Sequence, residues 1–282
     1  MSIRIRGNKL DSEISVHKEC QYLDNGTHIH ENIWRFYKSF EDEKNVYILL
    51  ELCENLSLDW LLKRRVRLKE VEVRCYAAQI INALKHFKKR NVVHRDLKLG
   101  NLFLTDKMQI KVGDFGLAAR IQDGKKRWSI SGTPNYIGKC NKIFVKLHFI
   151  APEVLDNTQG HSYEADLWAL GVIVYTLLVG RAPFETKELD STYRRIKRAE
   201  FTYPIHVSIS DLSKNFINSI LVSDPKQRIC LENIMDHDFF AKEYPPLMPT
   251  LTLTWPPSDF NNETSKLGRF LSYPSKLRKD LK

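Results

Sequence analysis

Two polar clusters, in one order and at one spacing, constrain this chain more than any other feature. The first is His94-Arg95-Asp96-Leu97-Lys98-Leu99-Gly100-Asn101 and the second is Asp114-Phe115-Gly116. Upstream, from Glu70, the residues Val73, Ala77, Ile80, Ile81, Leu84 and Phe87 recur at three- and four-residue steps. That period predicts a long amphipathic helix running into the first cluster. Between the clusters, Leu102-Phe103-Leu104 and Ile110-Lys111-Val112 predict two short strands about a turn at Thr105-Asp106-Lys107.

The rest of the chain frames these clusters. Asp11 to Cys20 predicts a helix, with Asp11 and Ser12 as candidate N-caps. Ile33 to Phe40 and Val46 to Leu50 predict two strands joined by the polar turn at 41–45. Beyond residue 160 the pattern is helical, at Tyr163 to Val179, Asp211 to Val222 and Leu231 to Met235. Strands first and helices after predict an α+β fold of two lobes, a small β-rich one and a larger α-rich one. The 282 residues are enough for two cores.

Charge and cysteine usage exclude several function classes. The net charge of +10 suits acidic partners. No zinc-finger, RGG or aromatic-interleaved basic motif accompanies it, so nucleic acid is not an expected partner. The five cysteines form no CxxC pair and read as free thiols in a reducing compartment. His28 and His30 have no third ligand nearby and read as loop residues rather than a metal site. The longest apolar run, Leu167 to Val179, is short of the ~20 residues of a membrane span. No membrane span and an intracellular location are therefore expected.

The two clusters resemble the catalytic-loop and metal-loop signatures of eukaryotic-type serine/threonine protein kinases. Phosphoryl transfer needs a hydroxyl aligned with the γ-phosphate of ATP and neutralisation of charge on the phosphate oxygens. The resemblance makes Asp96 the acceptor of the hydroxyl proton. Asn101 and Asp114 become hard oxygen ligands suited to Mg²⁺, and Lys98 a contact to the γ-phosphate. The bland alternatives are a turn aspartate for Asp96 and a solvated cation for Lys98. By the same resemblance Asp166 holds the catalytic-loop backbone, and Glu153 pairs structurally with Arg228. Glu13 resembles the helix glutamate that salt-bridges an ATP-binding lysine, against the alternative of an exposed helix charge.

The finer resemblance is to the polo-like kinases, and it runs from about Leu10 to Phe260. Leu50-Glu51-Leu52-Cys53 looks like their hinge, which would put Glu51 and Cys53 at the nucleotide. Phe103, in the stretch from His94 to Leu104, resembles the phenylalanine under the adenine ring. Gly132-Thr133-Pro134-Asn135-Tyr136-Ile137 and Tyr175-Thr176-Leu177-Leu178-Val179-Gly180 are also polo-like. Thr133 would reach toward the catalytic aspartate. Ser129 stands where the family carries its activating phosphothreonine, with Arg95 as the cationic partner. The plain alternative for the run around Ser129 is a solvated charge cluster.

Three departures qualify the resemblance. Only twelve residues precede Glu13, none makes a GxGxxG, and Lys9 lies too close to Glu13 to serve as its lysine partner. Polo boxes are not found. Gly138 to Ile150 separates the GTP motif from Ala151-Pro152-Glu153, as an insertion loop or a translated intron. The expected organisation is a partial small lobe at 1–53, a large lobe at 54–243 with the insertion at 138–150, and a C-terminal extension at 244–282. The expected function is transfer of the γ-phosphate of ATP to protein Ser/Thr hydroxyls, with an inactive pseudokinase-like binding module as the alternative. The family would also imply protein substrates of acidic context, an upstream activating kinase, and a cytoplasmic or nuclear location including centrosome or spindle.

Overall fold

The computed structural model describes residues 2–3, 8–23, 26, 28–121, 148–155 and 162–254. The N-terminal part is a small antiparallel sheet and one helix. Strands β2 (Phe36–Glu41) and β3 (Val46–Leu50) pair through the Asp42 turn, whose carboxylate accepts the amides of Lys44 and Asn45. A two-residue strand, β1 (Ser2–Ile3), pairs with Tyr47 and Val46 on the other side of β3. The sequence did not predict this strand, because two residues carry no readable alternation.

Helix α1 (Asn8–Cys20) starts three residues before the predicted Asp11. Asp11 lies in its first turn instead of capping it, where its charge still faces the positive end of the helix dipole. Lys9 and Glu13 belong to this one helix, as their spacing required. Buried Leu10, Val16 and Cys20 form its inner face.

The larger part is built on two long helices. Helix α3 (Glu70–Lys89) buries Val73, Ala77, Ile80, Ile81, Leu84 and Phe87 as its period predicted. Helix α5 (Tyr163–Val179) is apolar all round and is correspondingly buried all round. It lies against α3 and against α7 (Asp211–Ile220). Gly180 ends α5 in the left-handed conformation, φ 88°, and a Cβ there would meet the Val66 carbonyl at 2.5 Å. Further helices are α2 (Leu58–Arg65), α4 (Pro152–Leu155) and α6 (Leu189–Arg198), of which α4 and α6 lie against each other. The predicted helix at Leu231 to Met235 is instead a turn running into a 3₁₀ segment, Ile234–Asp236. The result is a two-lobed α+β fold.

Four further short strands position the site. β4 (Val92–Val93) follows α3 and pairs with β7 (Ala119–Arg120). β5 (Leu102–Leu104) pairs with β6 (Ile110–Val112) about the predicted turn. The first polar cluster thus hangs between β4 and β5, and the second between β6 and β7.

Candidate active site

The first cluster is fixed from beneath by one buried carboxylate. Asp166, in the first turn of α5, accepts the amides of His94 at 2.7 Å and Arg95 at 2.9 Å. Burial pushes its carboxyl above the usual carboxylate range, against the opposing pull of His94 and of those two amides. His94, fully buried, donates from Nε2 to the Gly113 carbonyl at 3.0 Å, which ties the first cluster to the second. Arg95 and Asp114 both carry left-handed backbones, φ 64° and 61°. Such a conformation costs a non-glycine residue on the order of 1–3 kcal/mol and persists only where the surroundings fix it.

Three side chains converge above that clamp. Lys98 Nζ lies 2.7 Å from Asp96 Oδ2. Asn101 Nδ2 donates to the Asp96 carbonyl oxygen at 2.8 Å and lies 3.4 Å from Asp96 Oδ2. Asp96 is therefore held by a cation and an amide in a largely buried position, 9% exposed. The Gly113 amide donates to the Asn101 carbonyl at 3.0 Å, which sets Asp114, the next residue, beside Asn101. With the Asn101 amide nitrogen engaged, its Oδ1 is the atom left to face a ligand. Asp114 is exposed. Two hard oxygens from two residues fit a Mg²⁺ ion, which keeps waters and substrate phosphates as its remaining ligands.

A column of four aromatic rings joins these loops to α1 and β2. Phe36 meets His17 at 5.7 Å, His17 stacks on Phe115 at 4.3 Å, and Phe115 meets His94 edge-on at 5.4 Å. His17 Nε2 also reaches the Trp34 carbonyl at 2.5 Å. Burial holds the His17 pKa down to about 4, so the ring is neutral and donates there. Glu13 lies one helical turn before His17 on the same face. Its Oε2 sits 3.3 Å from where a Cβ on Gly116 would lie, with Asp114 Oδ1 at 3.2 Å from that point. Both carboxylates thus flank Gly116.

The segment linking β3 to α2 forms the far wall. Glu51 accepts Lys111 Nζ at 3.1 Å, an ion pair between the wall and the largely buried lysine of β6. Cys53 is buried, and burial raises its thiol to about 12, so it is an inert thiol and not a nucleophile. Phe103 lies half-buried on the floor. Its ring is covered by the indole of Trp34, centroid to centroid 4.1 Å, and Trp34 Nε1 donates to the Glu51 carbonyl at 2.7 Å.

Away from the cleft, Arg228 binds Glu153 through two bonds of 2.8 and 2.7 Å, both side chains buried. Its other donors reach the carbonyls of Glu164 and Val222, and its guanidinium lies 5.0 Å over Trp168. Ser129, Thr133 and 138–147 of the insertion lie outside the described residues.

Three features were missed by sequence reasoning. Trp34 sits at the head of a predicted strand, where an aromatic looks like ordinary core. His17 was legible only as the residue four after Glu13. The fully buried pair of Arg65 with Glu72, 3.0 Å, had no signal beyond its spacing.

A protein-family profile described as Protein kinase domain matches residues 2–240. The chain is 50% identical over 267 residues to the probable serine/threonine-protein kinase CCRP1 of Zea mays, covering 94% of this chain and 38% of that protein. It is 44% identical over 266 residues to the probable serine/threonine-protein kinase PLK of Dictyostelium discoideum, covering 94% and 25%. To the serine/threonine-protein kinase PLK1 of Xenopus laevis it is 42% identical over 269 residues, covering 95% and 41%. The chain thus spans about a quarter to two fifths of the length of these relatives.

Proposed function

Because this chain belongs to the protein kinase domain family, we propose that it transfers the γ-phosphate of ATP to Ser/Thr hydroxyls of proteins, as a polo-type enzyme. The observation that carries this reading is the clamp of Asp166 on the His94–Arg95 backbone, with Asp96, Lys98 and Asn101 converging above it. Asp96 Oδ2 accepts the hydroxyl proton, and Asn101 keeps that carboxylate aimed by holding its backbone carbonyl. The Lys98 ammonium bridges Asp96 and the transferred phosphoryl group, so charge that builds on the oxygens meets a fixed cation. Asn101 and Asp114 would hold Mg²⁺, which when bound would supply further neutralisation of the phosphate oxygens. Glu13, Glu51, Cys53 and Phe103 line the nucleotide side.

Arg95 Nε already donates to the Leu117 carbonyl at 2.6 Å, so its guanidinium lies beside the segment leading to Ser129. A phosphoserine at 129, placed by an upstream kinase, would bring about −1.5 to −2 charges for that cation to order. The net charge of +10 supports substrates of acidic context.

Phosphate transfer from Mg-ATP to casein tests the reading. Asp96→Asn keeps the shape and removes the proton acceptor, and loss of a general base slows transfer by about 10²–10⁴-fold. Equal rates for the wild-type chain and Asp96→Asn would overturn the assignment.

A further inference from the structure

The part of the cleft assigned above to the adenine ring already holds a ring. The indole of Trp34 covers Phe103 with a centroid separation of 4.1 Å and an interplanar angle of 31°. Its Nε1–H donates to the Glu51 carbonyl at 2.7 Å. A planar heteroaromatic ring on Phe103 with an N–H aimed at that carbonyl is what a purine would present in the same place.

The neighbourhood is shaped for this side chain. Gly113 lies against the indole: a side chain there would overlap Trp34 Cε3 and crowd Phe103 Cε2 at 3.1 Å. The Trp34 backbone is pinned on both sides. Its amide donates to the Val112 carbonyl at 3.0 Å, and its carbonyl receives His17 Nε2. The hinge-like segment is tied to the next residue, since the Glu51 amide donates to the Arg35 carbonyl at 2.9 Å. With the backbone fixed, only rotation of the indole about its side-chain bonds can empty the slot. The ring is half-buried, so it has a solvent side toward which to turn.

We propose that the Trp34 indole is the resident occupant of the slot between Phe103 and the Glu51 carbonyl, and that a purine enters only by displacing it. This rests on the nucleotide reading for the identity of the purine, but not for the slot itself. Entry is then a competition. The incoming base regains one stack and one hydrogen bond that the indole gives up, so its apparent affinity falls by the fraction of time the slot is open.

Two variants and two probes test this. Trp34→Val removes the competing ring and introduces a small β-branched residue that suits the approach to β2. Its Mg-ATP affinity, measured by calorimetry, should be about tenfold or more tighter than that of the wild-type chain, the scale of one lost stack plus one lost hydrogen bond. Trp34→Ala leaves an indole-sized gap, so free indole should raise its melting temperature while leaving the wild-type chain unmoved. Trp34→Phe keeps a stack and loses the N–H donor, and should bind Mg-ATP with intermediate affinity. Measurable but equal Mg-ATP affinity in wild type and Trp34→Val would overturn the proposal, as would failure of indole to stabilise Trp34→Ala. Stabilisation of Trp34→Ala by indole, with no Mg-ATP binding by any form, would leave the indole slot standing and remove the nucleotide reading instead.

Discussion

Glu153 and Arg228 each carry a full charge into a place without water, and neither could stay there alone. The two parallel bonds between them, the carbonyls of Glu164 and Val222, and the face of Trp168 together replace the hydration of the guanidinium. A buried pair so satisfied adds little net stability, yet removing one partner leaves an uncompensated charge. Glu153→Ala is therefore expected to lower unfolding free energy by about 3–5 kcal/mol, read from urea titration, whereas Lys63→Ala should change it by under about 1 kcal/mol. Lys63 pairs with Asp59 just as closely, at 2.7 Å, but its side chain is 74% exposed. A loss under about 1 kcal/mol in Glu153→Ala would show that water already reaches the pair. At Asp96 the same logic serves chemistry instead of stability: a largely buried carboxylate bound by Lys98 and steered by Asn101 is held in position.

Helix α5 shows how an element can be legible while its contacts are not. Its range, Tyr163–Val179, follows from an apolar run with polar ends and a glycine after it. Its closeness to α7 does not. A Cβ on Gly171 would lie 2.7 Å from Ile220 Cγ2 and 2.8 Å from Leu221 Cδ2, so the two segments touch where that glycine lacks a side chain. In an isolated helix Gly→Ala gains roughly 1 kcal/mol. Here the clash reverses the sign, and Gly171→Ala should lower stability by about 1–3 kcal/mol in thermal or urea unfolding. A more stable Gly171→Ala would mean that the segments part without penalty. Helix α6 was not read from the sequence for another reason: half of its ten residues are charged, and its apolar stripe at Leu189, Tyr193 and Ile196 is thin, with only Thr192 and Ile196 buried. In the site, the two polar clusters could be read locally because each is contiguous. The approach of Asp166 to His94, across 72 residues, came only through resemblance. Trp34 in the base slot came from neither, because a single aromatic at a strand entry carries no sign of which ring it will cover.

Across the whole molecule, buried histidines make stability depend on pH. His17 and His30 are both held down to about 4, chiefly by burial. His17 is opposed by its bond to the Trp34 carbonyl and pressed further by His94; His30 is pressed by His86 and Lys111. Each is neutral in the folded chain and takes a proton near the ordinary histidine value of 6.5 once unfolded. The unfolded state therefore binds more protons between about pH 6.5 and pH 4. The stability gained from keeping these rings neutral is fully present above about pH 6.5 and is lost as pH falls toward 4. Asp166, raised by burial, works in the opposite sense near its own titration, so the total slope mixes terms, and a difference measurement is needed. His17→Leu fills a similar volume between Phe36 and Phe115 and cannot titrate. Between pH 7 and pH 5 the wild-type chain should lose about 2 kcal/mol more unfolding free energy than His17→Leu does, by proton linkage at one site. Because His17 also joins α1 and β2 to Phe115, the loss should appear as unfolding of the small lobe together with the loops that carry Asp96 and Asp114. Parallel stability–pH curves for the two chains would show instead that the His17 ring is hydrated and already titrates as a surface histidine.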